Sequence, residues 1–454
     1  MIDQEQGLAN YLARLVCRIG SASLSEKDCT IVRQHLLDAI ASAYIGCRSE
    51  VFEKLIHLSP QVREGCAFPG KGAGRISLPD GAMVWAFAVN ASVFEDGSRE
   101  GACHPAAAVL PVIIALSDEA SWEKIDRSAV AGYDVMVRLC RGGNPEFVVK
   151  GFHPTSITAP FGAAATASVL LGHDLPTTRN ALCLAAMGSA GLMSAFKSGR
   201  TQPLQVAWAV RCGITAAIMA GAGQTGYSRI IEEGFYRAYL GHDPDPPLDD
   251  RLENEYAITG SYLKPYPGCR HLHPSIDAFG NILRENGLNP DDIEQIRVGT
   301  YRTAVETEIH DLKSRGDAYF NIPYALAARA LLGKNDYDAF DEKHFTNERI
   351  VGFMQKIRVD IDAGVDSLYP GQRGAVVEVT TTDGRTLVEK VNHPLGEPEN
   401  PLPLAVTLEK FRTAAGDFLS RETLKRVEGI LGIPSPPEPP GRLFECLGEN
   451  NQAL

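Results

Sequence analysis

Residues 261–277 read SYLKPYPGCRHLHPSID. Three prolines and a glycine this close together do not fit a regular helix, so this stretch marks a break. It mounts a lysine, an arginine and two histidines on a stiff, irregular segment. Rigid loops that present cations and imidazoles suit the binding and protonation of small anions. The chain has one character before this break and another after it.

Upstream, the sequence reads as helices. Ser25, with Asp28 three residues on, is a helix start; Val32, Leu36, Ile40 and Tyr44 follow at helical spacing, and Gly46 is a stop. Residues 82–89, 106–116, 161–171 and 206–222 are apolar with few breaks, as expected of helices inside a helical layer. Strand-type alternation is almost absent from the first 250 or so residues. Downstream, Ile296, Val298 and Thr300 alternate with other residues, as do Ile357, Val359 and Ile361. Val377 and Val379, the Thr382-Asp383-Gly384 turn and Leu387 read as a hairpin. Helices are expected at 276–286 and 323–332. Pro394, Pro398, Pro401 and Pro403 then lead back to helical sequence at 404–430, and the proline-rich 433–440 is expected to be extended.

The expected fold is mainly α. A helical large domain spans 1–265 and 402–454, and a smaller α+β lid domain spans 266–401. A chain of 454 residues, 44% hydrophobic and 22% charged, supports two such cores and has an ordinary globular composition. The formal charge of −12 argues against a nucleic-acid or anionic-membrane partner. No basic region followed by an apolar one opens the sequence, and no uninterrupted apolar run of spanning length occurs, so a cytoplasmic location is expected. The ten cysteines contain no CxxC pair, which gives no metal-site spacing. Gly70 to Arg75, GKGAGR, lacks the phosphate-loop pattern and reads as a loop.

Two other segments carry a His-Pro pair: Glu95-Asp96-Gly97-Ser98 running to His104-Pro105, and Gly151 to Ser156 around His153-Pro154. Removing a proton next to a carboxylate needs a base, an acid and cations that hold the enolate charge. His104 and His153 are candidates for base and acid, since imidazole titrates near neutrality. Lys264, fixed between Leu263 and Pro265, is a candidate anion ligand. Arg270 and His273 stand beside it as further substrate contacts. Asp96 reads as either a base or a turn cap.

These segments together resemble the MmgE/PrpD family. The resemblance rests on NASVFEDGS (90–98), HPAAAVLP (104–111), FHPTSITAPFGAAA (152–165) and TQPL (201–204). It continues in LKPYPGCRHLHPSIDA (263–278), FNIPYALA (320–327) and HPLGEPENPL (393–402). It implies a helical large domain, a smaller lid, a homodimer, and a pocket between the domains that takes di- and tricarboxylates without a cofactor or metal. It implies site roles for His104, His153, Lys264, His273 and Tyr324, and places Glu95 and Asp96 on the paired acids of the family's D-F-D-D-T segment. Two segments depart from the pattern. Val93 stands where the family has its first aspartate, and Gly97 replaces the threonine, with the Ser98 hydroxyl next to it. Gln202 stands where the family has lysine, with Lys197 and Arg200 upstream as substitute cations. The function implied is a cofactor-independent lyase, a dehydratase or decarboxylase of a small organic acid. Alternatives are an epimerase using the same enolate, or a member that only binds ligand.

Overall fold

The structure, a computed structural model, describes residues 7–69, 74–116, 118–198, 201–244 and 255–432, with 440 and 447. The expected extended stretch at 433–440 lies almost wholly outside these residues, as does most of the glycine-rich segment at 70–75. The chain divides into two compact units, Met1–Leu263 with Leu404–Leu454, and Lys264–Pro403.

The larger unit is a helical assembly around Pro154–Leu171. That helix packs against Trp122–Arg141, Pro203–Gly221 and Ala106–Leu116, and almost all of it is buried. Small residues set the spacing. A Cβ on Gly213 would lie 2.3 Å from the carbonyl oxygen of Pro160, and one on Gly46 only 1.8 Å from that of Ala88. Larger side chains at either place would push the helices apart. The capping signal at Ser25 forms as a reciprocal pair: the Asp28 N–H donates to Ser25 Oγ at 3.1 Å and the Ser25 N–H to the Asp28 carboxylate at 3.3 Å. The helix Glu26–Gly46 ends at the expected glycine.

Two features depart from the sequence reading. Strand Gln61–Ala67 pairs antiparallel with Arg75–Ile76 in the region expected to be purely helical. Its first four residues are exposed, so no buried face imprints an alternating pattern on the sequence. Helix Pro203–Gly221 is also long and apolar enough to span a membrane by length and composition alone. In the structure it lies against Leu78–Ala91, Pro154–Leu171 and Leu175–Ala185.

The smaller unit carries a four-stranded sheet. Ile357–Ile361 runs parallel to Ile293–Thr300, which pairs antiparallel with Ala375–Thr381; the latter forms a hairpin with Thr386–Val391. Ile293, Ile296, Val298, Val377 and Val379 are buried, and helix His273–Asn286 packs on the hairpin strands. Gly384, at φ +87°, supplies the left-handed residue of the turn.

After the smaller unit the chain returns to the larger one with helix Leu404–Ala415, and one buried cation fixes it there. Lys410 Nζ donates to Asp38 Oδ1 and to the Phe94 carbonyl, each at 2.6 Å, and lies 3.7 Å from the centre of the Phe94 ring. Burial pushes the Asp38 carboxyl above the usual carboxylate range, although the Lys410 charge draws it down. Lys410→Met is therefore expected to leave a buried acid without its partner and to cost about 3–5 kcal/mol. Urea unfolding followed by circular dichroism checks this; an unchanged midpoint would show that the pair contributes nothing.

Candidate active site

Between helices Leu78–Ala91 and Ala106–Leu116 the chain makes a tightly determined excursion. The Ser92 hydroxyl donates to the Val89 carbonyl at 2.8 Å and accepts the Phe94 N–H at 3.0 Å. Val93 follows at φ +50° and Ala102 at φ +48°. Both are non-glycine residues held in the left-handed region, where a β-branched side chain is especially disfavoured. Such strain persists only where surrounding structure enforces it. Asp and Asn tolerate this conformation better than Val, so position 93 is costlier here than with the aspartate common in the family. Gly97–Ser98 pairs antiparallel with Ser261–Tyr262. The Ser98 N–H donates to the Cys103 carbonyl at 2.8 Å, and its hydroxyl accepts the Gly101 N–H at 3.2 Å. Ser98 thus builds the turn that delivers His104.

The centre of the excursion is Asp96, which is fully buried. Its Oδ2 accepts from His35 Nδ1 at 2.8 Å and from the Tyr133 hydroxyl at 2.5 Å, and its Oδ1 accepts the Ala106 N–H at 3.1 Å. Burial pushes this carboxyl up, but hydrogen bonds from His35, Tyr133 and Ala106, with the charge of His35, hold it below the usual range. Of the two options the sequence left open, the geometry matches the cap: Asp96 satisfies the first turn of helix Ala106–Leu116.

The Asp96 backbone carbonyl accepts from His104 Nδ1 at 2.6 Å. A carbonyl only accepts, so the ring proton sits on Nδ1 and the lone pair of the neutral imidazole on Nε2. His104 keeps 26% of its side chain exposed. Its backbone N–H donates to Thr155 Oγ1 at 3.2 Å, which ties the first His-Pro pair to the helix that the second begins.

His153 is the N-cap residue of that helix, with Pro154 in its first turn. The ring is buried, stands edge-on to Phe196 at 5.0 Å, and its Nδ1 has no hydrogen-bond partner among the described residues. Burial, and secondarily the His104 charge, lower its pKa to about 3, so His153 is a neutral imidazole across the physiological range. Nearby, Gln205 accepts the Leu192 N–H and donates to the Leu192 carbonyl, the latter at 3.3 Å. Gln202 Nε2 donates to Asn90 Oδ1 at 3.0 Å, and Asn90 Nδ2 donates to Glu95 Oε1 at 2.8 Å. Arg200 lies outside the described residues.

In the smaller unit Lys264 is almost fully buried. Burial raises the Cys269 thiol pKa, while the charges of Lys264 and Arg373 pull it down, which places two cations around that thiol. Arg270 is committed elsewhere. It donates to Glu397 Oε1 at 2.9 Å, to the Leu395 and Pro394 carbonyls at 3.0 and 3.1 Å, and to His273 Nδ1 at 2.8 Å. Because a guanidinium is always a donor, His273 Nδ1 is an acceptor here. Tyr324 is buried, and its hydroxyl donates to the Ala339 carbonyl at 2.6 Å. Arg270 and Tyr324 therefore spend their polar atoms on their own unit.

The structure thus brings together His104, His153, Asp96, Ser98 and Gln202 in the larger unit; in the smaller it joins Arg270 to His273, sets the Lys264 charge near Cys269, and packs Tyr324 in helix Ile322–Leu332. His35, Tyr133, Thr155, Asn90 and Arg373 were not singled out from sequence. Asn90 sits in a quoted motif and was within reach; His35 and Tyr133 lie inside long helices with no local signal. Among the described residues, no three His, Cys, Asp or Glu side chains gather as a metal site.

Comparison with known proteins adds the family. The MmgE/PrpD N-terminal domain matches residues 10–247 and the C-terminal domain residues 266–431. The cis-aconitate decarboxylase of Mus musculus is 27% identical over 420 residues, covering 87% of this chain and 83% of the mouse protein. That of Homo sapiens is 26% identical over 423 residues, covering 88% and 85%. That of Aspergillus terreus is 24% identical over 438 residues, covering 88% and 87%.

The low pKa of His153 has a consequence for stability. Between about pH 6.5 and 3 the unfolded chain binds a proton at this residue that the folded chain refuses, so the stabilisation is full above pH 6.5 and is lost as pH falls. At pH 5 the loss amounts to about 2 kcal/mol. His153→Gln is expected to flatten this part of the pH–stability curve. Urea midpoints at pH 7.5 and 5 test it, and equal acid sensitivity in both proteins would contradict it.

Proposed function

The chain belongs to the MmgE/PrpD family, and from that premise we propose that it is a lyase acting on a small di- or tricarboxylic acid by decarboxylation. The support is of two kinds. Relatives matching almost the whole chain are named as cis-aconitate decarboxylases, and the larger unit holds an imidazole arranged for proton transfer. The observation that carries the proposal is the His104 Nδ1 contact with the Asp96 carbonyl, which leaves the basic lone pair on Nε2.

Loss of carbon dioxide next to an unsaturated acid leaves an electron pair that must be held as an enolate and then protonated at carbon. Positioned imidazoles serve that proton movement and fixed cations hold the charge. On this proposal His104 moves the proton, and neutral His153 supplies hydrogen bonding without adding charge. Lys264 is the anion ligand, with His273 oriented by Arg270. Asp96 and Ser98 act by holding His104, and Arg270 and Tyr324 by holding the smaller unit. A second reading, an epimerase using the same enolate, is favoured by Gln202, a neutral amide where the family has lysine; proton return calls for fewer cations than expulsion of a leaving group.

We also propose that the chain works as a homodimer in the cytoplasm. Support for a dimer comes from helix Pro203–Gly221, where Trp208 is 55% exposed and Ile218 and Met219, nearer the helix's end, are exposed too. Apolar surface of this kind is often covered by a partner, here a second copy. Sedimentation of the wild type as a dimer and of Trp208→Glu as a monomer is the expected result. A monomeric wild type would refute it.

Incubation with cis-aconitate, citrate and 2-methylcitrate, following the ultraviolet alkene band and carbon dioxide release, tests the activity. The expected outcome is carbon dioxide from cis-aconitate and a fall in kcat of about a hundredfold or more in His104→Asn. Deuterium uptake from heavy water without carbon dioxide would favour the epimerase. Neither, with intact ligand binding, would rule out both.

A further inference from the structure

A buried chain of polar side chains runs behind His104. Gln202, Asn90 and Glu95 are each less than 8% exposed, and their bonds have one direction. The Gln202 amide donates to Asn90 Oδ1, so the other end of Asn90, its Nδ2, faces Glu95 and donates to Oε1. That same Glu95 oxygen lies 3.8 Å from His104 Nδ1. The chain thus aims a carboxyl oxygen at the edge of the imidazole whose proton the Asp96 carbonyl accepts.

We infer that Glu95, held by Asn90 and Gln202, is a positioning residue that raises the basicity of His104, and that Gln202 acts through this chain rather than on the substrate. The inference rests on the proposal that His104 is the proton-transfer group.

Among the described residues, Glu95 presents a carboxyl oxygen to the His104 ring at 3.8 Å. Asp96 reaches it only through its backbone carbonyl, because its carboxylate is turned onto His35, Tyr133 and the Ala106 N–H. Cys103, the preceding residue, is a buried thiol held well above its ordinary pKa, chiefly by burial. His153, at the start of Pro154–Leu171, would oppose a charge on His104 but is itself neutral. A carboxylate at the 3.8 Å of Glu95 stabilises the imidazolium form of His104. An opposite charge within about 4–6 Å ordinarily moves a pKa by a unit or more. Gln202 fits the same logic. A lysine there would donate to Asn90 equally well but would place a second cation near Glu95 in competition with His104. A neutral amide supplies the hydrogen bond without adding that cation.

The test is an NMR titration of the full-length protein labelled with 13C-histidine, with the His104 resonance assigned by its loss in His104→Asn. In Glu95→Gln the His104 pKa is expected to fall by about one unit, a tenfold change in proton affinity. In Gln202→Met, which keeps Glu95 but removes the donor behind Asn90, the expected fall is about threefold in affinity. The acid limb of the kcat/KM profile should move with the titration, whereas a merely structural role would lower kcat/KM without moving the limb. An unchanged His104 pKa in Glu95→Gln overturns the inference. Should that variant not fold, an unchanged pKa in Gln202→Met overturns it equally. The titration is read without substrate, so absence of decarboxylation would sink the proposed function and leave this result standing.

Discussion

The larger unit depends on one buried carboxylate. Asp96 lies where water does not reach, and its cost of burial is met by three donors from three places: His35 in Glu26–Gly46, Tyr133 in Trp122–Arg141, and the first N–H of Ala106–Leu116. A buried charge with a missing partner is strongly destabilising, so these helices are not free to shift independently. The same residue orients the histidine, because its own carbonyl accepts the hydrogen bond from His104 Nδ1–H. Packing and chemistry thus meet at one position, and the left-handed Val93 and Ala102 are the strain that this arrangement sustains.

Around that node the two histidines receive opposite environments. His104 keeps 26% of its side chain exposed and has a Glu95 carboxyl oxygen 3.8 Å from Nδ1. His153 is buried, with no partner for Nδ1 among the described residues, and burial disfavours its charged form. The cations stand in the other unit, where Lys264 and Arg373 act on Cys269. Arg270 is absorbed in an ion pair with Glu397.

Much of the fold was legible from residue patterns. The break at 261–277, the apolar helix 106–116 and the hairpin turned at Gly384 each left a clear periodic or turn signal, because each depends on local chemistry. The strand at 61–67 left none, because its exposed residues impose no alternation. The site was legible by type and not by role. A His-Pro pair announces a helix start whether or not the imidazole is buried, and only the fold shows that His153 is. Arg270 and Tyr324 look like ligands from their neighbours in sequence, yet Arg270 bonds to Glu397, 127 residues away, and Tyr324 to Ala339, 15 residues away. The partnership of Asp96 with His35 and Tyr133 is similarly non-local, and no spacing rule reveals it.

The central claim is that the Asp96 carbonyl fixes His104 as its Nδ1–H tautomer, with the lone pair on Nε2. The most direct measurement is the pair of 15N chemical shifts of the His104 ring in 15N-histidine-labelled protein, at a pH where the ring is neutral. The account predicts a protonated Nδ1 and an unprotonated Nε2. A ring protonated at Nε2 would mean that the carbonyl does not hold His104, and would contradict the account.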